Sequence, residues 1–272
     1  MKRFSSLKYK LAPQTKIYDS MRAKWRPFVM FNQFSNFRSK VCNTDMYGLR
    51  YNSLKNAKKE SIIDAIKEGK KVGLILGNSM AFGEGATSDE TTISSFLSKF
   101  SNYYFLNFCG RGFSGLQEIT NYLLLCHKIN DLKKIIVISG LNDSFLPFHI
   151  NQNKSDKYLT AIHGYKLFDK NMENQSLGWK KRILNNMFLL SEKNNKEKLF
   201  KFSSSSKKKI LSEIIKRNFQ LLNLISNKSK VDITFVLQPV GSWCKKLRSK
   251  EEKALFEEEN QNPYLKNLYS YV

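Results

Sequence analysis

Residues 71–85 read KVGLILGNSMAFGEG, an apolar run over residues 72–76 that stops abruptly at Gly77-Asn78-Ser79 and gives way to small residues and glycines. A parallel strand covered on both faces has this form, because nothing forces its side chains to alternate between apolar and polar. A polar residue directly after such a run sits at the carboxyl edge of the sheet, where ligands bind in open α/β proteins. Ser79 therefore occupies a candidate functional position. A plain strand followed by a glycine-rich turn fits the same letters, so the rest of the chain has to supply partners.

The pattern recurs downstream. YYFLNF, residues 103–108, is a second short apolar run and ends at Cys109-Gly110-Arg111-Gly112. KKIIVIS, residues 133–139, is a third and ends at Gly140-Leu141-Asn142-Asp143. Between them lie two helical patterns. The first has Ile93, Phe96, Leu97 and Phe100 after serine and aspartate start signals; the second has Leu116, Ile119, Leu123 and Leu124 beginning near Ser114. Strand and helix in alternation imply βαβ units with right-handed crossovers and a parallel sheet. Ser79, Gly112 and Asn142 then follow three strand ends on one edge.

The flanks are less regular. Residues 1–57 have scattered aromatics and no steady period, the reading of an irregular segment that wraps the main domain, with a turn at Asn43-Thr44-Asp45 and Gly48. Residues 58–69, KKESIIDAIKEG, have Ile62, Ile63 and Ile66 at helical spacing and Gly69 as a stop, which predicts an amphipathic helix. The α/β domain then runs over 58–272, with an insertion at about 145–208 that contains a helical pattern around Trp179, Ile183, Met187 and Leu190 and covers the site. Residues 202–209, FSSSSKKK, read as a mobile loop. A helix over 209–226 and a fourth strand over 231–237, closed by Gln238-Pro239, complete the pattern.

Composition bounds the function. A chain of 272 residues, 41% hydrophobic, is long enough to bury a substantial core. No run approaches the roughly 20 apolar residues of a membrane span. The basic amino terminus lacks the apolar core of a secretory signal. Cys42, Cys109, Cys126 and Cys244 form no C-x-x-C pair, so reduced thiols in a cytoplasmic protein are expected in place of a zinc site or disulfide framework. The formal charge of +23 suits an anionic partner. However, the lysines are spread among abundant Asn, Ser, Ile and Phe, a mixture that AT-rich codon usage produces by itself. No helix-turn-helix or zinc signature accompanies the charge, so no specific nucleic-acid partner is expected.

A serine attacks a carbonyl only when a base takes its proton and donors stabilise the resulting oxyanion. Ser79 and Gly112 can supply backbone N–H groups and Asn142 a side-chain amide, the donors that an acyl-transfer site requires. At these residues the chain resembles the SGNH (GDSL-type) hydrolases. GNSMAFGEGATSDET is similar to their first block, with Asn78 where Asp is commoner. LNFCGRGFSG is similar to the second block, from Asn107 to Gly112, and SGLND to the third, G-x-N-D. VCNTDMYGLRYN also resembles the lead-in of SGNH proteins associated with surface-polysaccharide loci.

The resemblance implies Ser79 as nucleophile, with Gly112 and Asn142 among the oxyanion donors. It implies a three-layer α/β sandwich on a flavodoxin-like parallel sheet, an ester or acylated sugar as substrate, and no metal or organic cofactor. The family's last block, D-x-x-H, supplies the base and its orienting carboxylate, and no such tetrad follows Asn142. His127 falls within the helix after the second block, while His149 and His163 follow the third, out of the family's order. Truncation after LYSYV, with loss of a last strand and the base, is the simplest expectation. Such a chain would be an impaired esterase. The alternative is a non-catalytic binding or scaffold protein that retains the fold.

Overall fold

The structure of the chain is a computed structural model that describes residues 8–21, 23–144, 204–239 and 249–254. The amino-terminal region is more ordered than its sequence suggests. It contains a short helix, α1 (Thr15–Ser20), and an antiparallel hairpin of β1 (Ala23–Arg26) and β2 (Met30–Gln33). Asp45 and Gly48 form the expected turn: Gly48 N–H donates to the Asp45 carbonyl at 3.0 Å, and Gly48 has φ +77°.

The apolar runs become strands as their lack of alternation predicts. β3 (Lys71–Gly77) leads through the one-turn helix α2 (Ser79–Phe82) to α3 (Ile93–Phe100) and β4 (Tyr103–Asn107). Then come α4 (Gly115–Leu123), β5 (Leu132–Ser139), α5 (Ser204–Ser229) and β6 (Asp232–Leu237). The four strands β3 to β6 form one parallel sheet in the order β4-β3-β5-β6. In its own succession this is 2-1-3-4, so the strand order reverses between β3 and β5, the crevice where doubly wound sheets bind ligands.

Successive residues of β3 feed opposite faces of the sheet. Val72, Leu74 and Leu76 join a core with Ile135, Val137, and Ile119, Tyr122 and Leu222 from α4 and α5. Ile75 joins a second core with Phe105, Ile138, Ala81, Phe82, Tyr18 and Cys42. A fully buried Leu or Ile contributes about 1.5–3 kcal/mol, so neither face can be left to water. The result is a mixed α/β fold whose parallel sheet is covered by helices, compatible with a three-layer sandwich. Within α3, Ile93 and Leu97 pack against the second core, whereas Phe96 and Phe100 stack on each other at the surface.

Two expected elements differ. Residues 58–69 do not form an amphipathic helix; single 3₁₀ turns occur at Asn56–Lys58 and Ile63–Ala65. The buried Asp45 carboxylate takes the Ile62 N–H at 3.0 Å and the Ser61 hydroxyl at 3.2 Å, and Asp64 takes the Ser61 N–H at 3.1 Å. Side chains thus consume donors that a continuous helix would orient along its axis. The second difference is at residues 202–209. The part described, from Ser204, is the first turn and a half of α5 and not a loop. Serines suit the first turn of a helix, where backbone donors lack intrahelical partners. The expected insertion lies outside the described residues up to residue 203. Among the described residues, no helix is long and apolar enough to cross a membrane.

Candidate active site

The polar residues that end the strands are held together at the carboxyl edge by hydrogen bonds between neighbouring loops. Gly77 must be small for the first loop to form. A Cβ there would lie 2.5 Å from both the Ala81 Cβ and the Ile138 carbonyl oxygen, so only glycine lets α2 fold back onto the strand end. Asn78 then caps α2, its Oδ1 accepting the Met80 N–H at 3.2 Å. Its Nδ2 donates to the Gln238 Oε1 just past β6. Because β5 lies between β3 and β6, this side-chain bridge spans the end of β5. Asn78 is fully buried, and an asparagine here, unlike an aspartate, can donate to a neutral amide.

Ser79 follows as the first residue of α2, half-buried, and its hydroxyl has no partner among the described residues. The second loop runs alongside: Gly110 N–H donates to the Gly77 carbonyl at 2.9 Å. Arg111 makes a bidentate pair with Glu84, at 2.9 and 3.1 Å, and also donates to the Met21 carbonyl at 3.1 Å. Gly112 has φ +77°, a left-handed conformation that glycine adopts without steric cost, and is half-buried. Among the described residues, neither the Ser79 N–H nor the Gly112 N–H has an acceptor. The third loop joins the second through Asn142, whose Nδ2 donates to the Phe113 carbonyl at 2.7 Å. One amide hydrogen of Asn142 is therefore committed to the residue after Gly112, and one remains. Ser79, Gly112 and Asn142 thus follow three adjacent strands, on loops that are directly hydrogen-bonded.

The histidines divide differently. His127 sits in the 3₁₀ turn Cys126–Lys128, after α4 and before β5, which places it at the amino edge of the sheet, opposite Ser79. It is exposed, as expected for a surface residue of that segment, and cannot serve Ser79 as base. His149 and His163 lie outside the described residues. Among the described residues, no group of three or more His, Cys, Asp or Glu side chains is arranged to hold a metal ion. Cys42 and Cys109 are buried free thiols, and burial pushes the Cys42 thiol up to about 12, far from the reactive range.

Two carboxyls near this edge were not singled out from the sequence. Asp143, the residue after Asn142, accepts the Gly115 N–H at 3.0 Å and the Asn218 Nδ2 at 3.1 Å. Burial pushes it up to about 6, against the pull of those bonds and of the Arg217 charge. Glu118 of α4 is completely buried, and its Oε1 accepts the Ser139 hydroxyl at 2.8 Å. Burial and the neighbouring Asp143 charge hold it well above the ordinary carboxyl range. The available signal for Glu118 was a carboxylate beside Ile119 on an apolar helix. For Asp143 it was the last letter of the third motif. No family model matches the chain, and no curated protein matches it in sequence.

Proposed function

We propose that the chain is an SGNH-type serine ester hydrolase, with Ser79 as nucleophile and acylated carbohydrate or a related ester as substrate. The observation that carries this reading is a pair of N–H groups, on Ser79 and Gly112, beside the Ser79 hydroxyl at the reversal point of the sheet, none of the three with a partner among the described residues. In an ester hydrolase the Ser79 oxygen adds to the ester carbonyl carbon, and its proton passes to a base. The carbonyl oxygen then carries the negative charge, and the Ser79 and Gly112 N–H groups stabilise it with the remaining Asn142 amide hydrogen. Collapse of this intermediate expels the alcohol and leaves an acyl group on Ser79, which water removes. A flavodoxin-like sheet of SGNH type positions these groups; the strand order β4-β3-β5-β6 supports that assignment.

A second reading is a binding or scaffold protein that keeps the fold without turnover. It draws on the position of His127 at the opposite edge and on the absence of a histidine at the Ser79 edge among the described residues. Hydrolysis of short acetyl and butyryl esters by the full chain separates the two. Ser79→Ala should abolish turnover, because it removes the attacking oxygen. A wild-type chain with no turnover favours the binding reading, and turnover that survives Ser79→Ala removes Ser79 as the nucleophile.

A further inference from the structure

The Ser79 and Gly112 loops meet at an ion pair that lies outside the groups given a chemical role above. Gly112 is poorly equipped to hold itself in place. It has no side chain, and its φ of +77° is one of many conformations open to glycine. Its N–H belongs to the planar peptide that joins it to Arg111, so whatever fixes Arg111 aims that N–H. Arg111 is fixed by three hydrogen bonds. Nε and Nη2 donate to the two carboxylate oxygens of Glu84 at 2.9 and 3.1 Å, and Nη1 donates to the Met21 carbonyl, just past α1, at 3.1 Å.

Glu84 in turn belongs to the serine loop. Its N–H donates to the Ser79 carbonyl at 2.9 Å, and it stands between Gly83 and Gly85, at φ +90° and +93°, which turn the chain away from α2. We propose that Arg111 and Glu84 are positioning residues: in the ester-hydrolase reading, on which this rests, their bidentate pair holds the Gly112 N–H at the spacing from Ser79 that one oxyanion requires. Stability is a poor reason for the pair, because its side chains are 20% and 30% exposed and exposed pairs contribute little to folding. Two parallel N–H···O bonds, however, fix orientation as well as distance, which a lysine ammonium does not. Asp19 lies within reach of the Arg111 charge, but its carboxylate is bonded to Lys8 and Tyr9 at 2.8–2.9 Å. On the other side of Gly112, the Phe113 carbonyl accepts from Asn142. Gly112 is thus clamped between bonds to the first loop and to the third.

The test uses the full chain and a butyryl ester, with Arg111→Gln, Glu84→Gln and the double variant. Each single variant should lower kcat about ten- to a hundredfold, the cost of a misplaced oxyanion donor, with KM within about threefold of wild type. The double variant should be no slower than the slower single one, since both remove the same contact. Arg111→Lys keeps the charge without the fork and should remain about tenfold slow. Unchanged kcat, losses that add in the double variant, or full activity in Arg111→Lys would overturn the proposal, as would a rise in KM alone, which would place Arg111 on the substrate. Hydrogen exchange reads the same contact without turnover. The Gly110 and Glu84 amides, bonded to the Gly77 and Ser79 carbonyls, should exchange about tenfold faster in either single variant while those of β3 and β5 keep their rates. A wild-type chain that hydrolyses nothing removes the ester-hydrolase reading, and exchange alone then decides whether the pair holds the two loops; unchanged rates at both amides would show that it does not.

Discussion

The two faces of the sheet bury charge in opposite ways. On the face covered by α2, α3 and the amino-terminal region, Arg50 is fully buried with every donor used. Its Nε pairs with Asp89 at 2.9 Å, and its remaining hydrogens go to the carbonyls of Phe82, Gly83, Val41 and Ser88. Asp89 also accepts from the backbone and side chain of Asn43, and the guanidinium lies over the rings of Tyr18 and Phe82. On the face covered by α4 and α5, the carboxyls of Glu118 and Asp143 are buried near each other with no cation paired to Glu118 among the described residues, one Glu118 oxygen has no partner there, and a cavity adjoins them. A saturated pair joins chain segments. Buried carboxyls without a paired cation make stability depend on pH. The first face therefore reads as a staple and the second as a source of pH dependence.

Breaking the staple should have the largest effect. Arg50→Met strands the Asp89 carboxylate in the interior, and losing one partner of a buried pair costs about 3–5 kcal/mol. Urea unfolding should show that loss, and a cost near zero would mean that the amino-terminal segment is not fastened through Arg50.

The second face should respond to pH. The folded-state acidity of Asp143 is pushed up to about 6 from an ordinary 3.8, so the folded state binds its proton more tightly than the unfolded state. The resulting stability is fully present below about pH 4 and is lost as pH rises through 6, on the order of 2–3 kcal/mol. Glu118, also raised by burial and by the neighbouring Asp143, acts in the same direction. Asp143→Asn and Glu118→Gln should each flatten the dependence, read as unfolding free energy at pH 4, 6 and 8. An unchanged slope in both variants would remove the carboxyls from the account.

Gly77→Ala tests the joint between the two faces. Its methyl would meet Ala81 and the Ile138 carbonyl at 2.5 Å, and overpacking of this kind costs about 1–3 kcal/mol. The smallest effect is expected at the rim. Arg111→Ala removes a partly exposed pair with Glu84, worth less than about 1 kcal/mol in thermal unfolding.

The same contrast explains what was legible in the sequence. Strands β3, β4 and β5 show as apolar runs because burial on both faces removes alternation, and the loops show because glycine and asparagine follow each run. That places Ser79, Gly112 and Asn142 after neighbouring strands with no knowledge of the packing. Residues 58–69 have a helical period, but Asp45 claims the Ser61 and Ile62 donors, and a period does not reveal a competitor from another segment. The staple joins Arg50 to a residue 39 positions away, and Asn218 reaches Asp143 across 75. Neither spacing leaves a local mark. Glu118 is a charged residue on an apolar helix, and only the arrival of α5 encloses the chamber beside it.

The central claim is that the carboxyl edge of the sheet carries a nucleophilic serine. It is tested most directly by treating the full chain with a fluorophosphonate that phosphonylates activated serines and mapping the modified peptide by mass spectrometry. The account predicts one adduct, on Ser79, that disappears in Ser79→Ala while the variant unfolds at the wild-type urea concentration. An adduct on a different residue, or none on the folded wild-type chain, would contradict it.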